Sequence, residues 1–279
     1  MVVAITHEKS PALINVLTKV AWNGCQLIDM PGFYEFLTGK VPIEHISDTW
    51  FYLNSMQVKR IYYRHLKRLF DMGLSFIIFV MTLPLFLLIG LAIKLDSRGP
   101  IIFCQERLGQ DGNPFQILKF RTMINDAEEN GPKWASDNYF RITRVGRVLR
   151  KLHLDELPQL LNILNGEMSF IGPRPERYVF IREFQRVLPE LRPGRRKDDA
   201  LEKMVACGFK EKIPFYSYRL MVKPGLTGWA QVMYPYASSL EQTREKLQYD
   251  LFYIKNMGFF LDMAIILKTL RIALLGRGK

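Results

Sequence analysis

Two adjacent carboxylates, Asp155 and Glu156, stand out because of the cations placed around them. Upstream, TRVGRVLRKLH sets Arg144, Arg147 and Arg150 at three-residue intervals, on one side of a helix whose Val145, Val148, Leu149 and Leu152 face elsewhere. Downstream, GPRPE holds Arg174 between two prolines, whose fixed φ presents the guanidinium from a stiff turn suited to bidentate phosphate binding. Lys119 and Arg121 of LKFRTM add two more cations. Positive neighbours favour the ionised carboxylate and neutralise the oxygens of an approaching phosphate, so Asp155 is a candidate nucleophile toward phosphorus. Glu156, with Asp155, offers hard oxygen ligands for a Mg²⁺ that also holds substrate phosphates. The plainer alternatives are a helix cap for Asp155, a first-turn surface position for Glu156, a simple turn for GPRPE, and a solvated or lipid-facing surface for the basic residues.

The elements that would position these groups are legible in outline. LDELPQLLNILNGEMS reads as a helix with Leu157, Leu160, Leu161 and Leu164 at core spacing, Pro158 in the first turn and Gly166 as the stop, which puts both carboxylates at its N-terminus. IIFCQ and FQILKF are β-prone runs bounded by Gly and Pro, expected to form a small sheet or hairpin. Before them, the sequence is uncharged from Met72 to Ile93, about the length that crosses a bilayer. Pro84 lies near its middle, and basic residues flank both sides: Arg64, Lys67 and Arg68 before, Lys94 and Arg98 after. The positive-inside rule then assigns both ends to the cytoplasm, and a helix broken at Pro84 that enters and leaves by one face satisfies both observations. A straight span and a buried core helix are the alternatives. Residues 1–56 read as a strand (Val2 to Ile5), a helix (Pro11 to Leu27) and a turn-rich segment, too little to bury a core alone. The stretch 187–214 is charged and loop-like, and the apolar C-terminal run suits either a core helix or a bilayer-surface helix.

Composition narrows the class. With 39 Lys and Arg against 27 Asp and Glu in 279 residues, the net charge of +12 attracts polyanions, whether nucleic acid, anionic lipid or phosphorylated small molecules. A hydrophobic content of 48% argues against disorder and against a protein that merely coats nucleic acid. Cys25, Cys104 and Cys207 are odd in number and far apart, which suggests no disulfide framework, and the four His residues lack metal-ligand spacing. Neither common glycine-rich phosphate loop is present, and the first residues lack a signal-peptide pattern.

Five segments, GPIIFCQERLG, LKFRTM, RITRVGRVLRKLHLDELPQLLNILNGEMSFIGPRPE, VKPGLTGWAQV and EKLQYDLFYIKN, follow the Pro-interrupted apolar run in this order. Together they resemble the bacterial sugar transferase family, the monotopic phosphoglycosyl transferases, over residues 62–279. The resemblance implies an α+β, mostly helical monotopic membrane protein with a re-entrant helix broken at Pro84, interfacial amphipathic helices and a small β-sheet. It divides the chain into residues 1–56, the remnant of a nucleotide-binding-like α/β domain; 57–98, a basic linker and re-entrant helix; and 99–279, a cytosolic catalytic domain ending in an interfacial helix. It further implies an enzyme of the inner membrane's cytoplasmic face, moving a sugar 1-phosphate from a UDP-sugar to undecaprenyl phosphate to initiate exopolysaccharide or other glycan assembly.

In that scheme Asp155 attacks the sugar-bearing phosphate, Mg²⁺ assists near Glu156, and Arg150 and Arg174 contact phosphate or nucleotide, with Lys119, Arg121, Arg144 and Arg147 as further candidates. Inner-leaflet anionic lipid is an expected partner, a homodimer is left open, and nucleic acid is not expected. The family often has Asp-Pro where this chain has Tyr139 and Phe140. The competing reading is a membrane-tethered, non-catalytic assembly or regulatory subunit. The identity of the sugar is not legible.

Overall fold

The computed structural model describes residues 1–3, 10–55, 59–124, 141–175, 214–234 and 240–274. Tyr139, Phe140 and the stretch 187–213 lie outside them. The described chain is mostly helical, with three two-stranded sheets.

The expected hairpin forms from β3 (Ile102–Leu108) and β4 (Pro114–Phe120), antiparallel with Ile102 opposite Phe120 and Leu108 opposite Pro114. Alternation along β4 buries Phe115 and Ile117 in the main core. Helix α6 (Gln159–Asn165) is clipped to this strand by Asn162, which is 1% exposed. Its side-chain oxygen accepts from Leu118 N at 3.0 Å and its amide donates to Gln116 O at 2.7 Å, so a buried polar group replaces a neighbouring strand. After α6 the chain enters β5 (Ser169–Ile171), which runs parallel to β6 (Gly225–Thr227). Backbone approach is close here. A Cβ on Gly225 would lie 2.0 Å from Gly172 N, and one on Gly172 would lie 2.4 Å from Lys223 O, so both positions require glycine.

The apolar segment lies within α4 (Lys59–Asp96), a 38-residue helix that is continuous through Pro84. The expected division there is therefore not an interruption of the helix: a proline removes one hydrogen bond, and flanking turns can carry the helix across it. Only 17% of its most apolar window is buried, which disposes of the core-helix alternative. Phe76, Met81, Leu87 and Leu88 are exposed, while Leu74, Ile78 and Phe79 pack on the main core and Leu85, Phe86, Ile89 and Ile93 on a second one with Phe120 and Leu149.

Both ends of the apolar run are tied to the same body. Lys67 pairs with Asp262 at 2.7 Å, and Asp71 accepts from Phe170 N at 3.2 Å. At the far end Asp96 accepts from Val145 N at 2.9 Å.

At the N-terminus β1 (Val2–Val3) pairs in parallel with β2 (Ile28–Asp29) around α1 (Pro11–Trp22), which ends earlier than the expected Leu27. The segment read as turn-rich instead contains α2 (Met30–Thr38). Pro31 and Gly32 fall in its first turn, where a missing N–H does no harm, and Asp29 caps it by accepting from Gly32 N at 3.0 Å. Val41, Ile43 and Phe51, the last on α3 (Asp48–Ser55), then join the core that contains Leu160 and Ile171. The same core receives α8 (Leu240–Asn256) and α9 (Phe259–Leu274). In α9, Ile265 is fully buried while Phe260 and Leu267 are exposed, so the C-terminal helix has both a core face and an open apolar face.

Candidate active site

The carboxylates sit on a turn produced by two local features. Helix α5 (Arg144–Lys151), capped by Thr143, packs so tightly on the end of β4 that a Cβ on Gly146 would stand 2.2 Å from Thr122 O. It ends at Lys151, and His153, a non-glycine residue in the left-handed region (φ 54°, ψ 19°), redirects the chain into a 3₁₀ turn over Leu154–Glu156. Helix α6 begins only at Gln159, and the residue in its capping position, Pro158, makes no side-chain cap. Asp155 is thus not the cap of this helix. The extra turn moves both carboxylates off the helix axis.

Glu156 is held from two sides. Lys119 Nζ, from β4, donates to Oε1 at 2.6 Å, and Arg174 Nη2 donates to the same oxygen at 3.1 Å. The second arm of the Arg174 fork donates to Gln231 Oε1 at 3.0 Å, from α7 (Trp229–Met233). The turn bearing Arg174 is itself fixed at three carbonyls: Gly225 N donates to Pro173 O at 2.9 Å, Arg219 to Arg174 O at 3.1 Å, and Arg107 to Pro175 O at 3.0 Å. Arg219 is anchored by a buried salt bridge to Asp250 at 2.9 Å. Asp155 is half-buried and makes no hydrogen bond among the described residues.

The two acids differ in ionisation. Burial pushes the Glu156 carboxyl upward, but Arg174 and Lys119 outweigh it and hold the group at about 2. For Asp155 burial prevails: its pKa is raised, with Glu156 adding to the rise and Lys119, Arg150 and His153 opposing it. The expectation that surrounding cations keep both carboxylates low therefore holds for Glu156 alone. A raised pKa makes Asp155 the more basic, hence intrinsically more nucleophilic, oxygen donor once ionised.

The other candidate residues divide. Arg150 is half-buried, and its Nε donates to Thr122 Oγ1 at 2.9 Å near the dyad. Arg144 and Arg147 lie on exposed positions of α5, where Val148 and Leu152 are exposed with them and only Val145 and Leu149 face the core. Arg121 is 5% exposed and donates to Ser97 O at 2.7 Å and Arg98 O at 2.9 Å, which gives it the end of α4 to hold rather than a phosphate. Gln231, Thr122, Arg219 and Asp250 escaped the reading of the sequence, and Arg107 is legible there only as a cation on or near the hairpin. Gln231, Thr122 and Asp250 had a signal in their places within VKPGLTGWAQV, LKFRTM and EKLQYDLFYIKN; Arg219 had none.

No three His, Cys, Asp or Glu side chains converge on a metal position among the described residues. The described residues build no cage of protein ligands alone; they do suit an Mg²⁺ that takes one or two carboxylates and completes its shell with substrate phosphate, since among them the Asp155 carboxylate accepts no hydrogen bond.

The chain that carries this carboxylate pair beside Lys119 and Arg174 belongs to the bacterial sugar transferases, whose sequence model matches residues 62–276. Among its relatives, a UDP-N-acetylgalactosamine-undecaprenyl-phosphate N-acetylgalactosaminephosphotransferase of Aeromonas hydrophila is 39% identical over 91% of this chain and 55% of its own length. A UDP-glucose:undecaprenyl-phosphate glucose-1-phosphate transferase of Klebsiella pneumoniae is 30% identical over 96% of this chain and 52% of its own length. A protein of the same name from Caulobacter vibrioides is 39% identical over 73% of this chain and 67% of its own length. The chain spans about half the length of the first two.

Proposed function

We propose that this chain transfers a sugar 1-phosphate from a UDP-sugar to undecaprenyl phosphate through a covalent intermediate on Asp155. The observation that carries this reading is the contrast within the dyad: Glu156 is locked by Lys119 and Arg174, while its neighbour Asp155 has a raised pKa and no hydrogen-bond partner among the described residues. A carboxylate oxygen of Asp155 attacks the sugar-bearing phosphorus, the bond to the bridging oxygen breaks, and UMP leaves with that electron pair. The phosphate oxygen of undecaprenyl phosphate then attacks the same phosphorus and Asp155 departs, giving the diphosphate-linked sugar.

Lys119, Arg150 and Arg174 against Asp155 and Glu156 leave a net positive charge, which suits a diphosphate donor. Gln231 and the fixed PRP turn keep the Arg174 fork in one plane. Asp155 and Glu156 would hold Mg²⁺ together with the donor phosphates; when bound, the ion would neutralise charge on the phosphate oxygens.

For the membrane we propose that α4 enters and leaves by the cytoplasmic face of the inner membrane. Side chains on both sides of the apolar run bond to one body, and the helix contacts that body along much of its length while keeping an open apolar surface. A straight crossing would carry one end out of reach. Initiation of exopolysaccharide or related glycan assembly is the biological role that fits such a product.

The test is UMP release from a panel including UDP-glucose and UDP-N-acetylgalactosamine, the donors in the relatives' names, with undecaprenyl phosphate and Mg²⁺ each present or omitted. Release that requires both and disappears in Asp155→Asn supports the proposal. Full activity of Asp155→Asn overturns the covalent step, and no release with any donor overturns the transfer for this chain.

A further inference from the structure

The end of α6 away from the dyad closes on Gly166, whose left-handed conformation (φ 87°) ends the helix. Arg68 reaches this end from α4 and donates to the carbonyls of Ile163 and Leu164, the latter at 2.7 Å. Lys223 arrives from the turn before β6. A Cβ on Gly166 would stand 3.2 Å from Arg68 Nη2 and 3.5 Å from Lys223 Nζ, so the two cations flank one small residue.

The neighbouring Lys67 is matched by Asp262, but Lys223 makes no hydrogen bond or ion pair among the described residues. Burial and Arg68 together hold its ammonium below the ordinary lysine value, against an opposing pull from Asp71. Asp71 is itself 2% exposed and accepts from Phe170 N, so it lies beneath the pair rather than over it. Met72, one helical turn after Arg68 on the same side of α4, is exposed, as is Met221 two residues before Lys223. Arg68 also precedes the uncharged run by about one helical turn, which sets the pair at headgroup depth if α4 lies in the bilayer as proposed.

We infer that Arg68 and Lys223 form a binding site for the phosphate of an anionic phospholipid, separate from the dyad at the opposite end of α6. Phosphate meets two adjacent cations, and the acyl chains meet the exposed side chains beside them. Arg68 is already bound to the helix carbonyls and acts as the fixed half of the site; Lys223, whose ammonium makes no hydrogen bond among the described residues, is the half that answers to the lipid.

This inference rests on the proposed membrane placement, and the experiment separates the two. Detergent-purified chain is incubated with equimolar phosphatidylglycerol and phosphatidylcholine, and retained lipid is counted by native mass spectrometry; flotation with phosphatidylcholine vesicles is measured in parallel. The expected result is a preference for phosphatidylglycerol of about fivefold, one surface lysine's worth, that is lost in Lys223→Ala, kept in Lys223→Arg and reduced by salt. Flotation should be the same for all three proteins. An unchanged lipid preference in Lys223→Ala overturns the site, as does a defect confined to a raised KM for undecaprenyl phosphate, which would make Lys223 an acceptor contact. Failure of the unaltered chain to float overturns the membrane placement instead.

Discussion

At the N-terminal end of α6 two cations, Lys119 and Arg174, converge on the carboxylate of Glu156; at its C-terminal end Arg68 donates to backbone carbonyls while Lys223 stands beside it at Gly166. The first arrangement couples charges that titrate, so each side chain alters the protonation of the others. Its effect is to split two adjacent acids, Glu156 downward and Asp155 upward. The second couples Arg68 to peptide dipoles that do not titrate, so its positive charge is left over beside that of Lys223. One end is thus suited to chemistry and the other to holding an anion.

The largest expected effect comes from breaking the reactive end. Asp155→Asn should lower UMP release by at least about 10⁴-fold while leaving the melting temperature unchanged or slightly raised, because this side chain makes no hydrogen bond among the described residues and its charge opposes folding. Glu156→Gln should destabilise the protein by about 2 kcal/mol in a denaturant titration, since it leaves Lys119 and Arg174 without their charged acceptor. It should also flatten the acid limb of the stability profile. Glu156 is depressed from 4.5 to about 2, so its stabilisation is complete above the unfolded value and is lost as pH falls through about 2.

Asp155 carries the opposite sign. With a raised folded pKa it opposes folding at higher pH, and that penalty is relieved as pH falls through the folded value toward 3.8. Its ionised form is the one that reacts, so the acid limb of kcat/KM should lie above the ordinary aspartate value of 3.8. Lys119→Met, which removes a cation that favours ionisation, should move that limb higher still. Gln231→Leu should cost about tenfold in kcat, with recovery in Gln231→Glu, because either acceptor can hold the Arg174 fork. The smallest effect sharpens the contrast from the other side: Gly166→Ala should cost about 1 kcal/mol of stability from its left-handed φ and leave the pH profile of activity unmoved.

The candidate site was legible where function and structure depend on the same short motif. The dyad, Arg174 between its prolines, and the stop at Gly166 are all local, and the structure brings Arg174 and Lys119 together on Glu156 as cations around one acid. The arginine stripe was read too simply. Three-residue spacing drifts by about 60° at each step around a helix, so Arg150 has turned toward Thr122 while Arg144 and Arg147 remain outside. Arg121 deceived for a related reason: β4 ends at Phe120, and beyond it the two-residue alternation that would pair Arg121 with Lys119 no longer applies. Helix α2 was hidden by a Pro-Gly pair that marks a turn in most contexts and here opens a helix capped by Asp29.

By itself the sequence determined the chemical types at the site, the apolar run at residues 72–93, the hairpin, and the family likeness, because each is written in contiguous residues whose spacing or order carries the signal. Only the tertiary structure decided which cations meet which carboxylate and that the acids are pushed apart. It also decided that α4 is tied to one body at both ends, and that Lys223 stands beside Arg68. Those outcomes depend on distances between residues far apart in the chain and on how deeply each is buried, and neither quantity exists until the elements have packed.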